Sequence, residues 1–185
     1  VPAPYMYPWV IHGHLRMVFP NGLEGRGTAT LIGKKHIITA GHCFYDDRGG
    51  GLVEEATVYF GRNGSNFLRK ARLEKFIVHP EYLGNDENYD LAVGRISEDV
   101  GAELGYASLI FPDDTALKNK HVAVTGYPGT KGILRTLLNL PSYHMYSMEG
   151  LIVSARKHKI YYHIDTSGGQ SGAGVWTLNP EEIVQ

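Results

Sequence analysis

Short runs of apolar, β-branched and aromatic residues, each bounded by Gly, Pro, Asn or Asp, recur along the whole chain, whereas helical periodicity is hard to find. This pattern is typical of an all-β protein. In the first part of the chain it predicts six strands, at residues 10–19, 27–33, 36–39, 55–60, 71–78 and 90–95. A polar, turn-rich passage at residues 97–119 follows and indicates a boundary.

A second series of strands follows this passage. The pattern predicts them at residues 121–127, 143–154 (as a hairpin), 159–165, 172–178 and 182–185. Many short antiparallel strands suit closed barrels or sandwiches. We therefore expect two β units, an N-terminal one over residues 1–110 and a C-terminal one over residues 111–185.

The composition narrows the classes of partner. The 185 residues, 43% of them hydrophobic, can form a substantial core, and 18 basic against 19 acidic residues give a net charge of −1. Such a balance provides no electrostatic footprint for nucleic acid or an acidic membrane, so we expect neither as a partner. No apolar run approaches the roughly 18 residues that span a bilayer. The single cysteine, Cys43, excludes an internal disulfide and is expected to be a small buried core residue.

One serine, Ser171, stands in a glycine-rich run, SGGQSGAGVW (167–176), directly before an apolar strand-like segment. Glycine and serine are ordinary turn residues, so this run by itself predicts a turn. A catalytic serine needs a general base and a group that orients that base. Neither His nor Asp follows Ser171, and no Asp precedes His42, which leaves the chain order His, Asp, Ser for a triad that contains both residues.

His42 and Asp90 occupy positions that suit the other two roles. His42 follows an apolar strand and a small-residue turn, Ala40-Gly41, which would leave an imidazole facing a cleft. Asp90 opens the apolar run DLAVGRI, where a carboxylate is costly to bury unless another group pairs with it. Each residue alone also fits a structural role, His42 at a strand end and Asp90 in a turn. The individual residues therefore leave both interpretations open.

Two further histidines, His12 and His14, stand at i and i+2 and would share one face of a strand. They could form half of a metal site, but the sequence places no third ligand. We expect two surface histidines and no metal site.

Three segments together resemble the signature segments of the chymotrypsin-like serine endopeptidases, in the same order and at suitable separations. They are TAGHC (39–43), FIVHPEY with NYDLAV (76–82 and 88–93), and SGGQSGAGV (167–175). GYPG (126–129), IDTSGGQSG (164–172) and the lack of paired cysteines are most similar to the bacterial glutamyl endopeptidase branch. The resemblance implies an all-β fold of two antiparallel six-stranded β-barrels, with the active site in the cleft between them.

The resemblance also implies roles for single residues. Ser171 would be the nucleophile, His42 the general base and then the general acid, and Asp90 the residue that fixes the imidazole tautomer. The backbone N–H groups of Gly169 and Ser171 would form the oxyanion hole. No metal or organic cofactor is implied.

The glutamyl branch further implies a site for an acidic substrate side chain. Thr166 matches a threonine of that pocket, and the terminal amine of Val1 would join it in a protein whose mature chain begins there. Cleavage after Glu, and less readily after Asp, is the resulting expectation. Trypsin-type members carry an activating Asp directly before the nucleophile, and Gln170 stands at that position. We therefore expect no activation through that ion pair.

The end of the sequence departs from the family. After EEIVQ (181–185) the family continues with a strand that lines the specificity pocket, a last strand and a helix. We therefore expect the second barrel to lack its C-terminal strands and residues 1–185 alone to be a weak or inactive protease. The open edge would accept a missing C-terminal segment or another chain.

The sequence thus indicates a secreted bacterial serine endopeptidase that acts on protein or peptide substrates. Two other functions stay open at this stage. One is a non-catalytic binding module on the same fold, which the missing strands would favour. The other is an esterase that uses the same triad.

Overall fold

The computed structural model describes residues 1–129, 143–164 and 170–177. Three short α-helices and four single-turn 3-10 helices accompany the strands in these residues. The strands are β1 His12–Val18, β2 Glu24–Leu31, β3 His36–Thr39, β4 Tyr45–Asp46, β5 Gly51–Leu52, β6 Glu55–Phe60, β7 Arg69–Val78, β8 Ala92–Ile96, β9 His121–Gly126, β10 Tyr146–Arg156, β11 Lys159–Tyr162 and β12 Val175–Trp176. The α-helices are α1 Pro80–Leu83, α2 Val100–Leu104 and α3 Asp114–Leu117. The all-β prediction is confirmed.

The six strands predicted in the first part of the chain form a closed barrel in the order β1-β2-β3-β8-β7-β6. Successive side chains of a strand point to opposite faces, and β6 shows how this fills the barrel. Ala56, Val58 and Phe60 are buried in the core, whereas Glu55 is exposed. β3 and β6 have the predicted ends, and β1 begins later than predicted because a 3-10 turn occupies Trp9–Ile11.

The later strands form a second sheet in the order β11-β10-β9-β12. The predicted hairpin at 143–154 is wrong, because β10 is one strand that pairs with β9 on one side and with β11 on the other. The chain reverses after β10 at Lys157, whose φ is 35°. The predicted strand at 182–185 lies outside the described residues, so the second barrel is only partly defined. The division into units at residue 110 stays a prediction.

The two sheets meet on the outer face of β1 and β2. Gly13, Leu15 and Met17 alternate with the outward residues of β1 and are buried on the core side. On the other side, the Tyr127 amide donates a hydrogen bond to Thr28 Oγ1 at 3.0 Å. The segment after β9 is thereby fixed against the first barrel.

The prediction of two surface histidines is wrong, because the second sheet covers this face of β1. His12 and His14 are 0% and 2% exposed. The His12 ring lies 5.5 Å from the Trp176 ring, and the His14 ring lies 5.3 Å from that of Tyr127. Aromatic residues contributed from far along the chain bury both imidazoles, which strand alternation alone cannot reveal.

In the described part of the chain, the structure contains no helix that is both long enough and apolar enough to cross a membrane.

The turn-rich passage between the two sheets contains the short helices α2 and α3.

Candidate active site

His42 lies in a tight turn directly after β3. Ala40 is still extended, and Gly41–Cys43 form a 3-10 turn. A Cβ atom on Gly41 would lie 2.9 Å from the Tyr82 ring and 3.1 Å from Asp90 Oδ1, so only glycine permits this close approach without a shift. The turn leaves the His42 side chain 44% exposed.

Asp90 contacts His42 at two points. Its Oδ2 lies 2.7 Å from His42 Nδ1, and its Oδ1 accepts a hydrogen bond of 2.8 Å from the His42 amide. The 3-10 turn Glu87–Tyr89, capped by Asp86, delivers the carboxylate just before β8 begins. An ionised carboxylate only accepts hydrogen bonds, so Nδ1 of a neutral His42 carries the proton and Nε2 keeps its lone pair.

The contact between the two residues shifts the pKa of each. The hydrogen bond that His42 donates to Asp90 is the main cause that raises the pKa of His42, and it outweighs the opposing effect of burial. Burial raises the pKa of Asp90, but the hydrogen bonds from His42 oppose it and leave that pKa below its ordinary value. Together the shifts favour an ionised Asp90 beside an imidazole that readily takes up a proton.

Ser171 lies beside the His42 turn. Its carbonyl oxygen accepts a hydrogen bond of 2.8 Å from the Thr28 amide on β2 and lies 3.8 Å from the Sγ of Cys43. Cys43 directly follows His42, so the three predicted catalytic residues belong to one region of the molecule.

Gly172 fixes the path of the chain directly after Ser171. Its φ is 78°, in the left-handed region that favours glycine. A Cβ atom at this position would overlap the Thr39 hydroxyl and the Thr28 carbonyl oxygen. Thr39 Oγ1 donates a hydrogen bond of 2.8 Å to that same carbonyl oxygen. The positioning role of these two threonines was not predicted from the sequence, where the small residues GTAT (27–30) of β2 signal a close approach only at Thr28.

Cys43 is buried, as predicted. Burial is the main cause that raises the pKa of its thiol to about 11. A thiol with so high a pKa is not a nucleophile near neutral pH, which leaves the serine as the candidate nucleophile in this region.

The other predicted site residues have different outcomes. Gly169 and Thr166 lie outside the described residues. The Val1 amine donates a hydrogen bond of 3.0 Å to the Met145 carbonyl oxygen. The described residues contain no group of three or more His, Cys, Asp or Glu side chains that could hold a metal ion.

Comparison with known proteins places this geometry in a family. Residues 7–175 match the Trypsin family model. The chain is 31% identical over 153 residues to a glutamyl endopeptidase of Bacillus licheniformis, a match that covers 82% of this chain and 45% of the relative. It is 27% identical over 173 residues to an extracellular metalloprotease of Bacillus subtilis, covering 92% of this chain and 52% of that protein.

A solved structure of a Glu endopeptidase in complex with MPD superimposes with a TM-score of 0.80 at 26% sequence identity, covering 96% of this chain and 78% of that one. The chain spans about half the length of the curated relatives it matches. Because the family model matches most of the sequence and the fold agrees with it, the chain belongs to the trypsin family.

Proposed function

We propose that the protein is a serine endopeptidase that hydrolyses peptide bonds through Ser171, His42 and Asp90. The observation that carries the proposal is the two-point contact of Asp90 with His42, at 2.7 Å and 2.8 Å, next to the segment that contains Ser171. A serine hydroxyl is a weak nucleophile until an adjacent base accepts its proton. A histidine held by a carboxylate is such a base.

In the proposed reaction, His42 Nε2 accepts the hydroxyl proton as Ser171 Oγ attacks the carbonyl carbon of the substrate. The backbone N–H groups of Gly169 and Ser171 donate hydrogen bonds to the oxyanion of the tetrahedral intermediate. His42 then gives its proton to the leaving amine, and the acyl group stays on Ser171. Water attacks this ester with His42 again as the base, which releases the acid and restores the serine.

We further propose cleavage after Glu, and less readily after Asp. The support is the 31% identity with a glutamyl endopeptidase. The resemblance of IDTSGGQSG (164–172) to that branch adds to it, since it implies that Thr166 matches a threonine of the acidic pocket. A buried carboxylate needs donors that replace its hydration, and the Thr166 hydroxyl supplies one. The Val1 ammonium can supply another in a chain that begins at Val1, because only one of its N–H groups bonds to Met145.

Secretion from a bacterium is the third part of the proposal. It is supported by the Bacillus relatives, one of which is named an extracellular protease. Extracellular protein and peptide chains are accordingly the proposed substrates.

Labelling with a fluorophosphonate probe tests the nucleophile. The probe should modify the wild-type protein once, at Ser171, and should fail to modify Ser171→Ala. Ser154→Ala, which removes a serine hydroxyl from β10, is the matched control and should be labelled like the wild type. Labelling of Ser171→Ala at the wild-type rate would reject the proposed nucleophile.

Cleavage profiling of a denatured proteome tests the substrate class. The expected cuts follow Glu, with fewer after Asp. Cuts mainly after Lys and Arg, or after large aromatic residues, would reject the acidic preference while retaining the endopeptidase. A probe-reactive protein that hydrolyses esters but cuts no protein would instead be an esterase.

A further inference from the structure

Two arginines and two tyrosines form a cluster on the outer face of the first barrel, where that face meets the second sheet. The Arg62 guanidinium lies 3.9 Å from the centre of the Tyr143 ring and 4.8 Å from that of Tyr59. The Arg26 guanidinium lies 5.5 Å from the Tyr143 ring. We call these four residues the arginine–tyrosine cluster.

The positive charge of the cluster is not neutralised within the described residues. Arg16 pairs with Glu24 at 2.6 Å, but neither Arg26 nor Arg62 forms an ion pair in residues 1–129, 143–164 and 170–177. Arg16 and Arg26 are direct partners in the β1–β2 register. The Glu24 carboxylate offsets this like-charge contact through its ion pair with Arg16, which leaves Arg26 without an ion-pair partner of its own in the described residues.

The two arginines differ in how firmly they are held. Arg62 donates from Nε to the Gly64 carbonyl oxygen at 3.1 Å and from Nη1 to His14 Nδ1 at 2.9 Å. Tyr59 and Tyr143 orient its plane further. Arg26 is exposed, and the Tyr143 ring is its side-chain contact that the structure records. Arg62 therefore provides a fixed positive charge, and Arg26 provides a guanidinium that can close on a ligand.

The positive charges of Arg26 and Arg62 act on the buried imidazole of His14. Burial is the main cause that lowers the pKa of His14 to about 3, and Arg62 and Arg26 lower it further, in that order. The cluster is therefore a region of positive potential although the whole chain has a net charge of −1.

The arginine–tyrosine cluster adjoins the nucleophile segment. The Thr28 amide bonds to the Ser171 carbonyl oxygen, and a Cβ atom on Gly27 would lie 3.0 Å from that oxygen. Residues i and i+2 of a strand direct their amides to the same edge, so the Arg26 main chain faces the edge on which Ser171 lies. Arg26 precedes Thr28 by two residues, so its backbone lies about 7 Å along β2 from the contact between Thr28 and Ser171. We therefore expect its side chain to face substrate residues about two or three positions from the cleaved bond.

We propose that Arg26, supported by Arg62, binds the carboxylate of an acidic substrate side chain that lies two or three residues from the cleaved bond. The inference rests on the proposed endopeptidase function and adds a second acidic subsite, separate from the pocket for the residue before that bond. A guanidinium with free N–H donors beside aromatic faces suits a carboxylate, because it forms two parallel charge-assisted hydrogen bonds with it.

Matched peptides with one cleavage site test this subsite. Glu and Gln are exchanged at each of the second and third positions on either side of the cleaved bond, and kcat/KM is measured for every pair. For the wild type, Glu should exceed Gln about tenfold at one of these positions. Arg26→Gln should reduce that ratio to about one, with kcat/KM of the Gln peptide within about twofold of the wild type. Arg26→Glu should instead favour Lys at the same position.

Arg72→Gln is the matched control. It removes an exposed arginine from β7, which β1 and β6 separate from β2 in the barrel order. The control should keep the Glu preference. If Arg72→Gln abolishes the preference as fully as Arg26→Gln does, the general field of the protein is responsible and the subsite is rejected. Equal kcat/KM for Glu and Gln at all tested positions of the wild type also rejects it.

Two readouts separate this inference from the proposed function. Fluorophosphonate labelling of Ser171 reports the nucleophile alone and should be the same in the wild type and Arg26→Gln. Peptide affinity is then measured by fluorescence anisotropy with Ser171→Ala, which needs no turnover. This variant should bind the Glu peptide about tenfold more tightly than the Gln peptide, and Arg26→Gln in the same background should remove the difference. If Ser171→Ala binds the Glu and Gln peptides with equal affinity, the subsite is rejected. Fluorophosphonate labelling of the wild type at Ser171 would still support the proposed nucleophile in that case.

Discussion

The protein holds the same side chain in two opposite environments. His42 is 44% exposed, donates a hydrogen bond of 2.7 Å from Nδ1 to the Asp90 carboxylate and has a raised pKa. His12 and His14 lie between the two sheets and form no ion pair with a carboxylate of the described residues. Burial is the main cause that lowers the pKa of each to about 3. The sequence places His12 and His14 within one strand, whereas Asp90 is 48 residues from His42.

The hydrogen-bond partners explain why one histidine suits catalysis and the others do not. Arg62 only donates hydrogen bonds, so its contact of 2.9 Å with His14 Nδ1 requires that nitrogen to be unprotonated. The Thr30 hydroxyl at 3.0 Å is a neutral partner for His12 Nδ1. Neither partner stabilises an imidazolium, whereas Asp90 does. Of these three histidines, His42 is therefore the one suited to act as a base, because the Asp90 carboxylate stabilises its protonated form.

The largest expected effect comes from removing the supported histidine. His42→Ala should lower kcat on the order of 10⁶-fold, and Ser171→Ala should do the same, because the two residues act as a unit. The double variant should lose little more. Peptide turnover measures the loss, and circular dichroism verifies the fold. A His42→Ala protein, free of contaminating protease, that keeps most of its activity would contradict the proposed base.

Removing the carboxylate should have the next largest effect. Asp90→Ala should lower kcat on the order of 10⁴-fold, because His42 loses both its orientation and the stabilisation of its protonated form. Asp90→Asn keeps the side-chain shape and should be similarly impaired, since an amide can stabilise the wrong tautomer. Near-normal turnover of Asp90→Asn would mean that the carboxylate does not assist the base.

The buried histidines should control stability at low pH. Their folded-state pKa of about 3 lies below the ordinary 6.5, so the unfolded chain binds more protons below pH 6.5. Their contribution to stability is complete above that pH and is lost as the pH falls toward 3. Between pH 7 and 5 the loss should be roughly 2 kcal/mol for each histidine. The raised pKa of His42 acts in the opposite direction, since it contributes stability below pH 6.5.

Denaturant unfolding between pH 5 and 7 measures this loss. His12→Asn and His14→Asn preserve a polar atom near the Nδ1 position but do not titrate. Each variant should be less stable than the wild type at pH 7, because it loses ring contacts, yet should show a flatter dependence on pH. A wild-type unfolding free energy that is constant over this range would show that the buried imidazoles do not resist protonation.

The two kinds of histidine also mark where the sequence was informative. Short β-branched and aromatic runs bounded by turn residues predicted the strands of the barrel, since each run carries its own local signal. The His42 and Asp90 pairing followed from motif resemblance, because no local rule joins residues 48 positions apart. His12 and His14 are buried by Trp176 of β12 and by Tyr127, which directly follows β9. The residue pattern of β1 cannot predict contacts with residues so far along the chain.

The pairing of β10 shows a second limit. A hairpin was predicted at 143–154, yet β10 continues through Gly150 as one strand. A Cβ atom at Gly150 would lie 2.7 Å from the His163 carbonyl oxygen and from the Ile164 side chain. Glycine therefore serves a close approach of two chain segments here, and such a contact is visible only in three dimensions.

The smallest expected effect is the position of the pH profile. Only neutral His42 accepts the Ser171 proton, so kcat/KM should rise about tenfold per pH unit below the pKa of His42 and then level off. The hydrogen bond that His42 donates to Asp90 is the main cause that raises this pKa, so the midpoint should lie above 6.5. In Asp90→Asn the residual activity should have its midpoint at a lower pH than the wild type, because the charge that stabilises the imidazolium is gone. His14→Asn, which removes a buried histidine without touching this pair, should keep the wild-type midpoint. A midpoint that moves in His14→Asn but not in Asp90→Asn would assign the titration to His14 instead of His42. It would then contradict the conclusion that His42 is the base.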